Sequence, residues 1–194
     1  MPSNLIYLDF KITKFLSVFV PHSSFFTYFF SFFSLKGNSL LIWILLIIII
    51  LVFEERKNPG ISSRDKKFIM VFLLSFLMTF LFNYIFLKNF FHRPRPSFNQ
   101  LFTTHSSLLT NSCPIDFSFP SGHAATAFAA SCVLSYFDKK RRWFYYLVAV
   151  LISYSRIYLG CHYFLDVISG ALIGYIISRL LLSFPDTFPF RRKS

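Results

Sequence analysis

The sequence predicts an all-α, polytopic transmembrane helical bundle, and three observations carry that expectation. Hydrophobic residues fill 55% of 194 positions and aromatic residues 21%, with 29 Phe, while only 14% are charged; a soluble domain averages about 25% charged. Uncharged stretches recur at the length of about 17–25 residues that a helix needs to cross the hydrocarbon core. Between them the basic residues gather in short runs. One soluble core of this size cannot hide so many large apolar side chains. A soluble enzyme, a disordered tail and a small disulfide scaffold are excluded. The net charge of +12 then reads as the positive-inside pattern and not as a nucleic-acid footprint.

The elements follow in chain order. Leu5, Leu8, Ile12, Phe15 and Phe19 recur at helical spacing with Asp9, Lys11 and Lys14 among them, which suits a helix lying in the membrane interface. Residues 15–33 are long enough to cross, but Pro21, His22, Ser23 and Ser24 interrupt them. Five spans are therefore predicted, at 37–53, 68–87, 120–137, 143–159 and 163–184, with a sixth left open. Runs of this length are too long for strands. The last span carries Asp166 and Arg179. The chain divides into an interfacial or membrane-entry segment at 1–36, a membrane domain at 37–184 and a basic tail at 185–194. No internal repeat or flexible linker marks a second domain.

The loops set an orientation. Arg56, Lys57, Arg64, Lys66 and Lys67 lie in one, Lys139, Lys140, Arg141 and Arg142 in another, and Arg191, Arg192 and Lys193 end the chain. Counting spans puts all three on one face, which should be cytoplasmic. The connection 88–120 and a tight turn near Gly160 then share the opposite face. Cys113, Cys132 and Cys161 make neither a zinc spacing nor a framework of bridges. Cys113 and Cys161 should lie together on the outer face, where an oxidising compartment permits a disulfide; whether they pair is open. No small-residue cleavage site follows the N-terminal charges, so no signal peptide is expected.

Three clusters fall at the non-cytoplasmic helix ends. Lys88, Arg95 and Pro96 form the first, beside His92 and Arg93. Charges at a helix end are commonly interfacial, but the prolines hold these arginines in an extended, pre-set loop. Pro120-Ser121-Gly122-His123 reads as a helix start. Proline suits a first turn, glycine permits close backbone approach, and free amides there bind phosphate oxygens. The plain alternative is a capped helix with a surface histidine. Ser155, Arg156, His162 and Asp166 form the third, in which Arg156 and Asp166 fall inside predicted spans. Ionisable residues there are functional by default. Placed four apart on a helix, His162 and Asp166 would meet on one face, and a carboxylate on one ring nitrogen leaves the other basic. A structural His–Asp pair is the competing explanation. Together the clusters offer a nucleophile with its orienting acid, a second histidine, three cations and a hydroxyl. Positioning and charge neutralisation are most of what phosphoryl transfer needs. No Asp, Glu or His group has two-metal spacing, so the inventory supports phosphate chemistry without a metal.

Lys-x6-Arg-Pro, Pro-Ser-Gly-His and Ser-Arg-x5-His-x3-Asp, in this order, resemble the three-part signature of the type 2 phosphatidic acid phosphatase and haloperoxidase superfamily. Every fixed position is present, and the likeness covers about residues 37–184. It implies that His162 attacks phosphorus to give a phosphohistidine, with Asp166 orienting it. His123 would protonate the leaving oxygen and later activate water. Lys88, Arg95, Ser121, Arg156 and the Gly122 amide would hold the phosphate oxygens, without metal or other cofactor. Arg93 and His92 lie outside the signature and are left as headgroup contacts. Short members place their N-terminal residues along the outer surface, which favours five spans.

The implied activity is that of a lipid phosphatase of the bacterial cytoplasmic membrane, with its site on the outer face. Substrates of such members include undecaprenyl diphosphate, phosphatidylglycerophosphate, phosphatidate and lipid A. The alternatives are a phosphotransferase passing phosphate to an acceptor lipid and a non-catalytic lipid-binding protein. A soluble vanadium haloperoxidase would lack the apolar spans. The expected partners are a phosphorylated lipid and the bilayer, not nucleic acid; the particular lipid and the oligomeric state are not encoded legibly.

Overall fold

The computed structural model describes residues 3–34, 38–55, 63–96 and 113–184. These are helical with connecting turns, and no strand occurs among them. Helix α1 spans Ser3–Phe19, α2 Ser24–Ser34, α3 Asn38–Glu55 and α4 Ser63–Leu81. A π-helical turn, Phe82–Leu87, carries α4 into the short α5, Lys88–Phe91. Then follow α6, Gly122–Phe137, α7, Arg142–Tyr158, and α8, Phe164–Ser183.

Each of the five predicted stretches forms a helix, but their lengths differ. The continuous helix Arg64–Phe91 and Phe164–Ser183 are long and apolar enough to cross a membrane. Helices α6 and α7, of 16 and 17 residues, are shorter, as is the apolar stretch Leu41–Ile50. The N-terminal segment breaks where the interruption at 21–24 is expected. It is a pair, Asn4–Phe19 and Ser24–Ser34, bent by 120°, with the break at Pro21-His22-Ser23, where proline cannot continue the backbone ladder. If this pair is one broken span, the count of sufficiently long apolar elements rises from two to three.

Helices α4, α6, α7 and α8 form the body of the bundle. Its core joins Trp43, Phe68, Val71 and Phe72 to Val133, Leu134, Tyr145, Ala149 and Ile152. Large apolar side chains also cover the outside: Leu45, Leu73, Leu147, Leu172 and Leu180 are all more than half exposed. Water would not tolerate so much outward hydrocarbon, whereas lipid does.

The closest approach is between α6 and α8. Helix α6 presents buried Ala124, Ala125, Ala127, Ala129 and Ala130, and α8 answers with Gly170 and Gly174 in a small-xxx-small pattern that lets backbones meet. A Cβ on Gly174 would fall 1.9 Å from the Ala125 carbonyl oxygen, and one on Gly170 would fall 2.3 Å from that of Ser121. Ser178 Oγ donates across the same interface to the Ala129 carbonyl at 3.3 Å. Alternating helix directions bring Arg64, Lys66 and Lys67 to the same end as Lys139–Arg142. Arg64 Nη2 donates to the Phe137 carbonyl there at 2.5 Å. Arg56, Lys57, Arg191, Arg192 and Lys193 lie outside the described residues, as do 97–112.

The α6–α8 contact generates a stability prediction. Gly174→Ala forces the two backbones apart, an overpacking that typically costs about 1–3 kcal/mol. Thermal unfolding in detergent should show a Tm several degrees below wild type, while Leu172→Ala, on the outward face, changes it little. Equal melting of Gly174→Ala and wild type would refute the contact.

Candidate active site

At the end of the bundle opposite the basic loops, the three sequence clusters converge. Helix α5 ends at His92, whose left-handed backbone (φ 45°) turns the chain into Arg93-Pro94-Arg95-Pro96. Gly160, at φ 68°, makes the turn between α7 and α8, and the left-handed region favours glycine there. A disulfide joins Cys113 to Cys161, with their Cα atoms 5.3 Å apart, so the pairing left open by the sequence is made.

A cavity of about 430 Å³ opens among these ends, lined by Lys88, Arg95, Asp116, Gly122, His123, Arg156 and His162 together with Asn83 and Thr126. Thus six of the eight expected site residues share one space. Lys88, Arg95, Arg156 and His162 are all buried. Arg156 is tied on one side to Ser34, whose carbonyl accepts from Nη1 at 3.1 Å and whose hydroxyl also contacts it. Its Nε and Nη2 are buried without a hydrogen-bond partner among the described residues. Buried guanidinium donors are seldom left so, and these belong to a cavity-lining side chain.

The His162 ring is oriented by what it touches. Arg95 Nη1 lies 3.0 Å from its Nε2. Arginine only donates, so Nε2 accepts and the neutral ring carries its proton on Nδ1. That nitrogen stands 3.6 Å from Asp166 Oδ2, near but beyond hydrogen-bond length. The expected helical pairing of His162 with Asp166 needs correction, because α8 begins only at Phe164 and His162 belongs to the preceding turn. Burial, with Arg95, Arg156 and Lys88 nearby, holds the His162 pKa well below its ordinary 6.5. The ring is kept neutral.

Asp166 is committed elsewhere. It accepts from Arg93 Nη1 at 2.6 Å, from the Tyr163 amide at 2.8 Å and from the Ser118 hydroxyl. Arg93 reaches Asp9 of α1 with its other nitrogen, at 2.5 Å. Asp9 also accepts from the Leu165 amide at 2.8 Å, and Thr13 Oγ1 accepts from Phe164 N at 2.9 Å. Helix α1 therefore caps the start of α8. Burial opposes charge on Arg93, but Asp166 and Asp9 outweigh it and raise its pKa. The expectation of Arg93 as a headgroup contact gives way to a bridge between two carboxylates. His92 packs edge-on against Phe117.

The helix start at 120–123 is also refined. Ser121 is the N-cap of α6, its hydroxyl accepting from the Ala124 amide at 3.5 Å, and its own amide donates to the Asp166 carbonyl at 2.9 Å. Pro120 precedes the cap, after a cis peptide bond with Phe119. Ser121 is fully buried and, like Asp166, does not line the cavity.

Three residues escaped the sequence reading. Asp116 pairs with both Lys88 and Arg95. Ser118 joins Asp166, and Asn83, in the π-turn, lines the cavity with its Nδ2 unpartnered. Asp116 had a signal: it is the sole Asp, Glu, Lys or Arg between Arg95 and Asp138. Among the described residues no three His, Cys, Asp or Glu side chains gather as a metal-ligand set.

Comparison with known proteins places this architecture. Residues 68–189 match the model of the PAP2 superfamily. The chain is 41% identical over 80 residues to undecaprenyl-diphosphatase of Sulfolobus acidocaldarius, covering 41% of this chain and 39% of that protein. It is 34% identical over 119 residues to phosphatidylglycerophosphatase B of Bacillus subtilis, covering 55% and 54%. It is 30% identical over 142 residues to lipid A 4'-phosphatase of Porphyromonas gingivalis, covering 72% and 59%. The matches thus span about half the length of these curated relatives. The crystal structure of Aquifex aeolicus LpxE superposes with a TM-score of 0.66 at 29% identity, over 91% of this chain and 96% of that one. That of a transmembrane PAP2-type phosphatidylglycerolphosphate phosphatase from Bacillus subtilis gives 0.67 at 26%, over 98% and 90%. With three motifs converging on one cavity and a family model matching most of the membrane domain, the chain belongs to the PAP2 superfamily.

Proposed function

We propose that this protein is an integral membrane phosphatase that hydrolyses a phosphomonoester or diphosphate of a lipid on the non-cytoplasmic side. The observation that carries the reading is the cavity itself, in which two histidines meet Lys88, Arg95 and a fully buried Arg156 with unpartnered donors. An anion with several acceptor oxygens satisfies such a set, and phosphate is the anion that also uses a nucleophile. The relatives' names point to undecaprenyl diphosphate, phosphatidylglycerophosphate or lipid A as substrate types. Positive loops at the far end favour an outward-facing site. In this reading the five helical stretches span a bilayer, shorter ones included, with α1 on the outer surface beside the site.

The chemistry runs in two steps. His162 Nε2 attacks phosphorus in line as the bond to the lipid oxygen breaks, and His123 delivers a proton to that oxygen. Lys88, Arg95, Arg156 and the Gly122 amide draw charge from the equatorial oxygens. Water then attacks the phosphohistidine, giving its proton to His123, and the nitrogen–phosphorus bond breaks. Asp166, anchored by Arg93 and Ser118, faces the Nδ1 proton and steadies the charge that the ring acquires. Ser121 acts by capping the helix that presents Gly122 and His123.

Rapid-quench labelling tests the roles of the histidines. His162→Ala should abolish turnover and form no phosphoenzyme. His123→Ala should accumulate an acid-labile, alkali-stable phosphoenzyme from a nitrophenyl ester, whose leaving group departs without a proton. Phosphoenzyme in His162→Ala would overturn the assignment. Since three fixed cations neutralise the phosphate, EDTA should leave kcat within about twofold of the untreated enzyme; loss restored by magnesium would sink the site scheme. Nitrogen NMR should find His162 neutral and protonated on Nδ1 at pH 6.5. Its titration should begin only below that value, since a depressed pKa delays protonation as pH falls. A His162 signal half-protonated at pH 6.5 would contradict the burial argument.

A further inference from the structure

Two of the three cavity cations are already engaged. Lys88 Nζ contacts one carboxylate oxygen of Asp116 and Arg95 Nη2 the other. Arg95 Nε donates to the Asp116 backbone carbonyl at 2.8 Å. One whole edge of the guanidinium fork is therefore filled by a single residue. Two carboxylate oxygens, set on an ammonium and a guanidinium, reproduce the contacts that two phosphate oxygens would make. The third cation, Arg156, retains unpartnered donors in the same cavity.

Asp116 differs from the groups around it in exposure. Its side chain is 31% exposed, against 9% and 1% for those of its partners Lys88 and Arg95. Neighbouring Ile115 is 92% exposed, so the short stretch projects outward from its anchor at the Cys113–Cys161 disulfide. Burial pushes the Asp116 pKa up, yet Lys88 and Arg95 outweigh it and lower it. The group remains an anion throughout the neutral range.

We propose that Asp116 is an internal anion that occupies the phosphate subsite on Lys88 and Arg95 and must be displaced by the incoming phosphate. The inference rests on the phosphatase reading above and deepens it, because it makes Asp116 a competitor that every ligand of this subsite must displace. A terminal phosphoryl group with two charges competes well against one carboxylate. The single charge of a phosphodiester, which every bulk phospholipid carries, competes poorly. Displacement lowers the apparent affinity of both by the same factor, which leaves the intrinsically weaker diester largely unbound.

The test uses the full chain in detergent, with calorimetric titration of inorganic phosphate and of a short-chain phosphatidylglycerol, a monoanionic diester. Asp116→Asn should tighten phosphate binding at least tenfold and tighten the diester by a similar factor, since an internal competitor weakens every occupant of the subsite equally. KM for a short-chain phosphatidate should fall. Phosphate affinity unchanged or weakened, with kcat falling and KM rising, would make Asp116 a positioning residue and overturn the proposal. Carbodiimide modification of wild type, read at Asp116 by mass spectrometry, gives a measurement free of any variant. Added phosphate should raise labelling as the carboxylate is released, and unchanged or reduced labelling would refute displacement. If wild type hydrolyses phosphatidate but Asp116→Asn binds phosphate no more tightly, this proposal alone fails. If neither form binds phosphate and wild type turns over no phospholipid, both readings fail.

Discussion

Three cations buried at one end of an apolar bundle set the main constraint on this structure. Lys88, Arg95 and Arg156 line one cavity, and like charges taken out of water are unfavourable unless counter-ions or dense hydrogen bonding compensate. The chain answers with Asp116 on the first two and with Ser34 on the third. The segments that supply these partners, the loop before α6 and the end of α2, are thereby drawn to the site. Much of the local architecture follows from that need for compensation.

A second charge cluster lies behind the first and keeps its polarity separate. Asp9, Arg93 and Asp166 form a carboxylate–guanidinium–carboxylate bridge from α1 to α8. Arg93 and Arg95, two residues apart across Pro94, thus face different partners: one is shared by two acids, the other by Asp116, His162 and the carbonyls of Cys161 and Phe117. The extended backbone that proline imposes makes this division possible. The same bridge ties α1, whose Leu5, Leu8, Phe15 and Phe19 are exposed, to the start of α8. Below both clusters, the glycines and alanines of α8 and α6 hold the backbones in contact, so Gly122 and His123 are presented from a rigid element.

The bundle's body was legible because long apolar runs and helical spacing act locally. The motif residues were legible because their kinds and intervals are distinctive, and Lys88, Arg95, Gly122, His123, Arg156 and His162 do share a cavity. Pairings across long sequence separations were not. Nothing in the spacing reveals that Arg93 joins Asp9 to Asp166, or that Ser34 reaches Arg156. The 3.6 period suggested that His162 and Asp166 sit on one helix, but α8 starts between them. Helix ends are set by caps and turns as much as by periodicity, and in the N-terminal segment the turn residues Pro21, His22 and Ser23 made the break between α1 and α2 legible.

On the proposed phosphatase reading, the same geometry links occupancy of the cavity to the readiness of His162. Arg95 Nη1 donates to His162 Nε2, the lone pair that the phosphatase reading requires for attack. While that donor stays in place, the lone pair is occupied. A phosphate arriving between Lys88 and Arg95 competes for the guanidinium from both sides, displacing Asp116 from one edge and drawing Nη1 toward its oxygens. Charge favours this exchange, because a dianion is a stronger acceptor than a neutral imidazole. The released ring keeps its Nδ1 proton toward Asp166 and its lone pair toward phosphorus. On that reading binding and activation become one event: the cation that would hold phosphate is the one that would uncover His162, and a ligand that does not draw Arg95 away would leave the ring masked.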